Sequence, residues 1–139
     1  MKYLLDTNII SELRKRERCN ANVARWYSAV GEDDAFLSVL VLGEIRRGIE
    51  QIRRDAAQAR ALDRWLGELK EVFSDRVLSV DQSIAEEWGR MTALHPASAV
   101  DGLLAATARV HGMTLVTRNV AHVRNLGAQI LNPFEPKLS

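Results

Sequence analysis

The sequence has very little cysteine, no long apolar run and almost no net charge. Cys19 is its single cysteine, which excludes both an intrachain disulfide and a cysteine-based zinc site. No apolar segment is long enough to span a bilayer, and Met1 leads directly into a strand pattern. We therefore expect no signal peptide, no membrane anchor and a cytoplasmic location. The formal net charge of +1 argues against a general nucleic-acid coat protein but allows a local basic rim.

What is present is an ordinary globular composition of 139 residues, 47% hydrophobic and 27% charged, which suits one domain with one core. Strand patterns alternate with helical patterns throughout, and this alternation predicts a parallel sheet covered on both faces by helices. The predicted strands are the run that ends at Leu5 and residues 35–38, 77–80, 113–117 and 129–131. The predicted helices are residues 8–14, 20–30, 39–54 and 56–72, a segment capped by Asp81, and a segment opened by Ser98.

Asp6 stands where the first strand ends and the first helix opens, followed by Thr7 and Asn8. In open parallel sheets, ligands collect outside the carboxyl ends of the strands. This position makes Asp6 a candidate for the active site. The alternative is that Asp6 or Thr7 only caps the helix. The choice depends on whether other acids reach the same edge of the sheet.

Glu44 and Asp101 are the two further acids predicted at that edge. Glu44 lies beyond the first turn of the helix after strand two, so capping does not explain it, although an exposed pair with Arg47 could. Asp101 opens a helix that is apolar or small almost all round, and we expect its carboxylate to be largely desolvated. The alternative is a capping box with Ser98. No basic residue stands one turn away, so a partner must come from elsewhere in the fold.

Thr117 and Asn119 follow strand four and map to the same edge as the three acids. A site of oxygen ligands without His or Cys suits a hard cation such as Mg²⁺ or Mn²⁺. Such a cation can activate water against a phosphodiester. Basic residues on the loop 14–18 and on the helical hairpin of residues 39–72 could hold the rest of a polyanion, although the loop also reads as a solvated surface segment.

Four motifs follow one another along the chain: Leu5-Asp6-Thr7-Asn8, the isolated Glu44, Asp101 within the apolar helix 100–108, and Thr117-Arg118-Asn119. In this order and spacing they resemble a PIN domain, and more narrowly the VapC-type toxins, including the FitB-like ones, of bacterial toxin–antitoxin pairs. The resemblance covers nearly the whole chain.

This resemblance implies an α/β/α sandwich with strand order 3-2-1-4-5 and a metal-dependent endoribonuclease activity. It implies that Asp6, Glu44 and Asp101 bind the metal and that Thr7, Asn8 and Thr117 support them by hydrogen bonds. Asn119 stands where many relatives have a fourth acid, which puts a second metal ion in question.

The resemblance also implies a homodimer silenced by a small antitoxin protein. We expect the hairpin of residues 39–72, with Leu40, Leu42 and Trp65 beyond the needs of one inward face, to bind that partner.

Three other functions are compatible with parts of the sequence. An aspartate-nucleophile phosphatase would need a second Asp where Asn8 stands. A histidine ribonuclease would need two placed imidazoles, whereas His95 precedes a proline, His111 is near a helix end and His122 lies in a predicted polar loop. A PIN-like protein that binds RNA or a partner without cleaving is the third alternative.

Overall fold

The computed structural model describes residues 1–136. Five parallel strands form one sheet in the order β3-β2-β1-β4-β5, which confirms the predicted topology. The strands are β1 (Tyr3–Leu5), β2 (Ala35–Ser38), β3 (Val77–Leu78), β4 (Thr114–Val116) and β5 (Gln129–Leu131). The helices are α1 (Thr7–Leu13), α2 (Ala21–Val30), α3 (Val39–Gln51), α4 (Ala56–Val72), α5 (Gln82–Leu94), α6 (Ala99–Val110) and α7 (Val120–Val123), with 3-10 turns at Arg16–Arg18 and Glu32–Asp34.

The strand order places a topological switch point between β1 and β4. The chain leaves β1 toward β2 on one side and leaves β4 toward β5 on the other. Because parallel crossovers are right-handed, the connections after these two strands cover opposite faces of the sheet. A crevice therefore opens between the carboxyl ends of β1 and β4, where ligands bind in folds of this kind.

The core lies around β1, β4 and α6. Leu4 and Leu5 of β1 and Val116 of β4 are completely buried, as expected for central strands covered on both faces. Helix α6 buries nearly every residue from Gly102 to Ala108, which confirms the prediction made from its small and apolar sequence. No helix of residues 1–136 is long and apolar enough to cross a membrane.

Several predicted boundaries are wrong. Those of α1 and α2 differ by one residue at one or both ends, and pairing or capping explains the differences in three other elements. Strand β3 ends at Leu78 rather than at residue 80, because its neighbour β2 ends at Ser38, whose hydroxyl caps α3 through the Leu40 amide. Strand β4 covers residues 114–116 rather than 113–117, since β1 offers only three residues to pair with it. Helix α3 stops at Gln51 rather than at residue 54, and Asp55 then caps α4.

Two features of the fold were not predicted from the sequence. The short helix α7 follows β4, where we expected only a loop. Arg76 is buried, with 8% of its surface exposed, and its guanidinium donates to the carbonyls of Ala35 and Val72, both at 2.7 Å, and of Glu32. The guanidinium also lies 4.6 Å from the centroid of the Phe73 ring. Arg76 therefore joins the end of α4 to the start of β2.

Candidate active site

Asp6 lies at the switch point, and residues that follow β1 and β4 donate hydrogen bonds to its carboxylate. Its backbone N–H donates to Val116 of β4 at 2.9 Å, and its Oδ1 accepts the Thr7 N–H at 2.7 Å as the cap of α1. Its Oδ2 accepts the hydroxyl of Thr117 at 2.8 Å and the side-chain amide of Asn8 at 3.3 Å. Asp6 therefore caps the helix and also presents a buried carboxylate at the sheet edge, so the two alternatives are compatible.

Asn8 and Thr117 form a hydrogen-bonded frame around this carboxylate. The Asn8 amide also donates to Thr117 Oγ1 at 3.2 Å, and its Oδ1 accepts the backbone N–H of Arg118 at 3.1 Å. Thr117 Oγ1 accepts the backbone N–H of Asn119 at 3.1 Å as well. The turn after β1 and the turn after β4 are thereby fixed to one another through side chains.

Asp101 opens α6 and faces the same crevice. Its negative charge is close enough to Asp6 to raise the pKa of Asp6. The Ser98 hydroxyl donates to Asp101 Oδ2 at 2.8 Å and accepts the Asp101 N–H at 3.3 Å, so the capping interaction also exists. Asp101 is mostly but not completely removed from solvent, with 22% of its side chain exposed. The apolar face of α6 is buried, but its first turn projects beyond the sheet.

The pKa of Asp6 is raised above its ordinary value of 3.8, and the cause is mainly burial, with the charge of Asp101 adding to it. Hydrogen bonds from Thr117, Thr7 and Asn8 act in the opposite direction without cancelling the shift. Within residues 1–136, no Lys or Arg forms an ion pair with either of these two acids. The crevice therefore holds negative charge that a bound cation would stabilise.

Glu44 reaches this edge through Thr7. The Thr7 hydroxyl donates to Glu44 Oε1 at 2.6 Å, which connects the second turn of α3 to the first turn of α1. The alternative pairing of Glu44 with Arg47 is not observed in the described part of the chain. Over residues 1–136, no three His, Cys, Asp or Glu side chains are grouped closely enough to hold a metal ion together. The structure thus brings Asp6 and Asp101 together and attaches Glu44 to the same frame.

Asn119 and His122 lie at the outer rim. Asn119 is exposed, and its side chain makes no hydrogen bond as the cap of α7. His122 Nδ1 lies 3.6 Å from Asp101 Oδ2. Asp101 has no basic residue one turn away in its own helix, and α7 supplies the nearby imidazole instead. The prediction that His122 lies in a polar loop is wrong, because a helix of four residues has no detectable periodicity in the sequence.

The arginine-rich hairpin of α3 and α4 is partly neutralised. Asp63 accepts from Arg46 at 2.6 Å and from Arg53 at 2.8 Å, and Glu50 also pairs with Arg53.

Leu40, Leu42 and Trp65 pack against the core while remaining partly exposed. Trp65 borders a groove of about 310 Å³ that is also lined by Ile10, Tyr27 and Val72. Val72 is 47% exposed, so this groove has an apolar rim open to solvent.

Several known proteins resemble this chain in sequence and in fold. The PIN domain family model matches residues 3–125. The VapC ribonuclease Y4jK of Sinorhizobium fredii is 32% identical over 138 residues, covering 96% of this chain and 98% of the relative. The Toxin FitB of Neisseria gonorrhoeae is 27% identical and covers 94% of this chain and 97% of the relative. A crystal structure of FitAcB from the same organism superposes with a TM-score of 0.86 at 28% identity, over 96% of this chain and 99% of that one. These matches confirm the resemblance seen in the sequence: the chain belongs to the PIN domain family.

Proposed function

We propose that this protein is a divalent-metal-dependent endoribonuclease that acts as a toxin and is held inactive by a small partner protein. The observation that carries the proposal is the Asp6–Asp101 pair, two carboxylates at the switch point with no Lys or Arg paired to them within residues 1–136. Relatives of nearly the same length that carry the names VapC ribonuclease and Toxin FitB support the same reaction and the same biological role.

The donor chemistry of the crevice fits a hard divalent cation. All of the candidate donors are oxygens, which is the ligand set of Mg²⁺ and Mn²⁺. Asp6 and Asp101 would hold the ion directly, with Glu44 as the third acid and Asn119 as a neutral donor at the rim. When bound, the ion lowers the pKa of a coordinated water and offsets the charge that builds up on the phosphate.

The surrounding residues keep this arrangement ready. Thr117 and Asn8 donate to Oδ2 of Asp6 and the Thr7 N–H donates to Oδ1, and these contacts fix the rotamer of the carboxylate. The Thr7 hydroxyl also donates to the Glu44 carboxylate at 2.6 Å. This contact keeps Glu44 of α3 at the edge of the sheet where Asp6 caps α1. A site preorganised in this way does not need to reorder when RNA arrives.

The decisive experiment is cleavage of a structured RNA by the purified chain. EDTA should abolish cleavage, added Mg²⁺ or Mn²⁺ should restore it, and Asp101→Asn should remove it while the circular dichroism spectrum is unchanged. The exposed and distant Asp75→Asn is the matched control and should cleave normally. Cleavage by Asp101→Asn at the wild-type rate would show that the assignment is wrong. Binding without metal-dependent cleavage would instead favour the non-cleaving RNA-binding or partner-binding module.

The partner is proposed to dock in the groove between α1, α2 and α4. An amphipathic helix could place apolar side chains against Ile10, Tyr27 and Trp65, while an arginine of the partner could reach the acidic crevice.

We also propose that the chain forms a homodimer. Expression alone should arrest growth, and co-expression with the gene upstream or Asp6→Ala should relieve the arrest. A harmless and monomeric chain without a co-purifying partner would contradict the toxin assignment.

A further inference from the structure

A second concave surface lies beside the far end of α1, and its lining is strongly basic. The concavity has a volume of about 250 Å³ and lies between the loop that follows α1 and the middle of α4. Five cationic side chains line it, with Glu68 as the one acid: Arg14, Lys15, Arg16, Arg18 and Arg64. We call these five residues the basic cradle. A chain with a formal net charge of only +1 thus concentrates positive charge at one place.

Among residues 1–136, most of these cations form no ion pair. Lys15 pairs with Glu12 at 2.9 Å. The four arginines of the basic cradle have no carboxylate within ion-pair distance among residues 1–136, in contrast to Arg46 and Arg53 of the hairpin, which share Asp63. Clustered like charges repel one another, so the arrangement is favourable only when an anion is bound or when solvent screens it.

The loop that carries the basic cradle is held in one shape. The buried carboxylate of Glu12 accepts both the Lys15 ammonium at 2.9 Å and the backbone N–H of Asn20 at 2.8 Å, which fixes the two ends of the loop. The Arg14 guanidinium lies 5.4 Å from the centroid of the Trp65 ring on α4. Arg16 adopts a φ of 53°, a left-handed conformation that a residue with a side chain keeps only when its surroundings impose it. The backbone of the loop and the side chains of Arg14 and Lys15 are therefore held in place by contacts within the chain.

The basic cradle is connected to the catalytic edge by further positive charge. Helix α1 starts at Thr7, next to Asp6, and its seven residues carry the chain about 10 Å away from the crevice at 1.5 Å per residue. Arg118, which directly follows Thr117, is close enough to help lower the pKa of Glu12, although the hydrogen bond from Lys15 is the larger cause. Arg118 and Lys15 thus both act on Glu12 and bridge the space between crevice and cradle.

We propose that the basic cradle binds the phosphates of a single-stranded segment of the RNA substrate, about 10 Å from the acids that cleave it. The inference rests on the proposed function for the identity of the polyanion. Guanidinium and ammonium groups make up five of the eight residues that line this surface, beside Ala61, Trp65 and Glu68, and such a concentration of cations suits a phosphate backbone. The neighbouring groove shares Arg14, Arg16, Trp65 and Glu68 with this surface, but it adds apolar residues such as Ile10, Tyr27 and Val72 that a protein helix could cover. Lys15, Arg18 and Arg64 line only the basic cradle.

The test measures RNA binding separately from cleavage. The probe is a fluorescently labelled single-stranded RNA of about 12 nucleotides, within the range of single-strand binding sites. Its dissociation constant is measured in EDTA at several KCl concentrations, all in the Asp101→Asn background. Arg16→Gln/Arg64→Gln is compared with Arg54→Gln/Arg90→Gln, which removes the same charge from exposed positions outside the basic cradle.

The cradle variant should bind on the order of tenfold more weakly at 0.1 M KCl, and its salt slope should fall by about 1.4, because each single-strand phosphate contact contributes about 0.7. The control variant should stay within about twofold of the parent. Equal losses in both variants, or no loss in the cradle variant, would overturn the proposal. Unchanged RNA affinity with loss of the co-purifying partner would also overturn it and assign the cradle to the partner. If the wild-type chain never cleaves RNA while RNA binding still depends on the basic cradle, the nuclease assignment is refuted and the proposal for the basic cradle stands.

Discussion

The hydroxyl of Thr117 donates a 2.8 Å hydrogen bond to Oδ2 of Asp6 across 111 positions of sequence. This contact joins the carboxyl ends of β1 and β4 at the point where the connections of the sheet turn to opposite faces. It also acts on the chemistry, since this hydrogen bond is the largest of the effects that lower the pKa of Asp6. One side chain therefore couples the packing of the central strands to the charge of the candidate catalytic acid.

Replacing Thr117 with Val should raise the pKa of Asp6 further and destabilise the fold. Hydrogen bonds to charged groups contribute about 1.5–3 kcal/mol, and a loss of this size should appear in urea unfolding. The rising limb of the pH–rate profile should move to higher pH. Thr114→Val is the matched control, because the Thr114 hydroxyl on β4 makes only a 3.4 Å contact, with Gln129 on β5. Equal effects of both variants would mean that strand packing, rather than the Asp6 contact, is responsible.

The raised pKa of Asp6 also predicts how stability depends on pH in metal-free protein. Between the ordinary value of 3.8 and the higher value in the fold, the native state binds more protons at this site than the unfolded state. The contribution of Asp6 to stability is therefore fullest below 3.8 and is lost as the pH rises through the folded pKa. The free energy of unfolding of wild type minus that of Asp6→Asn should fall across this window and then level off. Saturating Mg²⁺ should remove the decline, and a difference that is flat or rises with pH would contradict the prediction.

The sequence was sufficient to predict the alternation of strands and helices and the positions of Asp6 and Asp101 within it, because these depend on local patterns. The apolar run before Asp6 and the cap that follows it predict a strand, a turn and a helix from neighbouring residues alone. The almost uniformly apolar sequence of α6 likewise predicts a buried helix with Asp101 at its head. Family resemblance then supplied the strand order, which local patterns do not determine.

The features that could not be predicted depend on contacts between distant segments. The length of β3 follows from where β2 stops, and nothing within residues 77–80 shows this. His122 approaches Asp101 because α7 turns back over α6, and Thr7 meets Glu44 because α1 packs beside α3. Arg76 stands directly before a strand, and no local pattern separates a buried arginine there from a solvated one.

Gly102 sets the distance between α5 and α6. A Cβ at this position would lie 2.9 Å from Cδ1 of Trp88 and 3.0 Å from Cγ2 of Thr92, closer than these atoms tolerate. Gly102→Ala should destabilise the protein by about 1–3 kcal/mol through overpacking and should weaken activity by displacing the adjacent Asp101. The exposed Gly89→Ala on α5 is the control: nothing lies within 4 Å of its Cβ, and it should be neutral or stabilising. Thermal unfolding and cleavage rates of the two variants test this.

Arg76→Met should be among the most destabilising substitutions outside the crevice. It keeps much of the buried volume but leaves the carbonyls of Glu32, Ala35 and Val72 without their donor. An unsatisfied buried group costs about 1–3 kcal/mol. Only the hydrogen bond to Ala35 is fully buried, and the Glu32 carbonyl still accepts the Ala35 N–H, so a total loss of about 3 kcal/mol is expected. Arg76→Lys should recover little of it, because an ammonium cannot reproduce the planar fork. Urea unfolding of these variants beside the exposed Arg25→Met measures the effect, and a change below about 1 kcal/mol would show that the buried guanidinium is dispensable.

Asn119→Asp should tighten binding of the catalytic cation. Asn119 lies at the end of the turn whose Thr117 holds Asp6, and its exposed side chain contributes at most a dipole to the crevice. A carboxylate there would add a full charge to a site that already holds Asp6 and Asp101, which costs stability in metal-free protein and increases the affinity for Mg²⁺. Calorimetric titration should therefore show a lower dissociation constant for Mg²⁺, and half-maximal cleavage should need less of it. Asn125→Asp, which adds the same charge beyond α7, serves as the control. Equal gains from both variants would mean that general electrostatics suffices, and no gain from Asn119→Asp would place this residue outside the metal site.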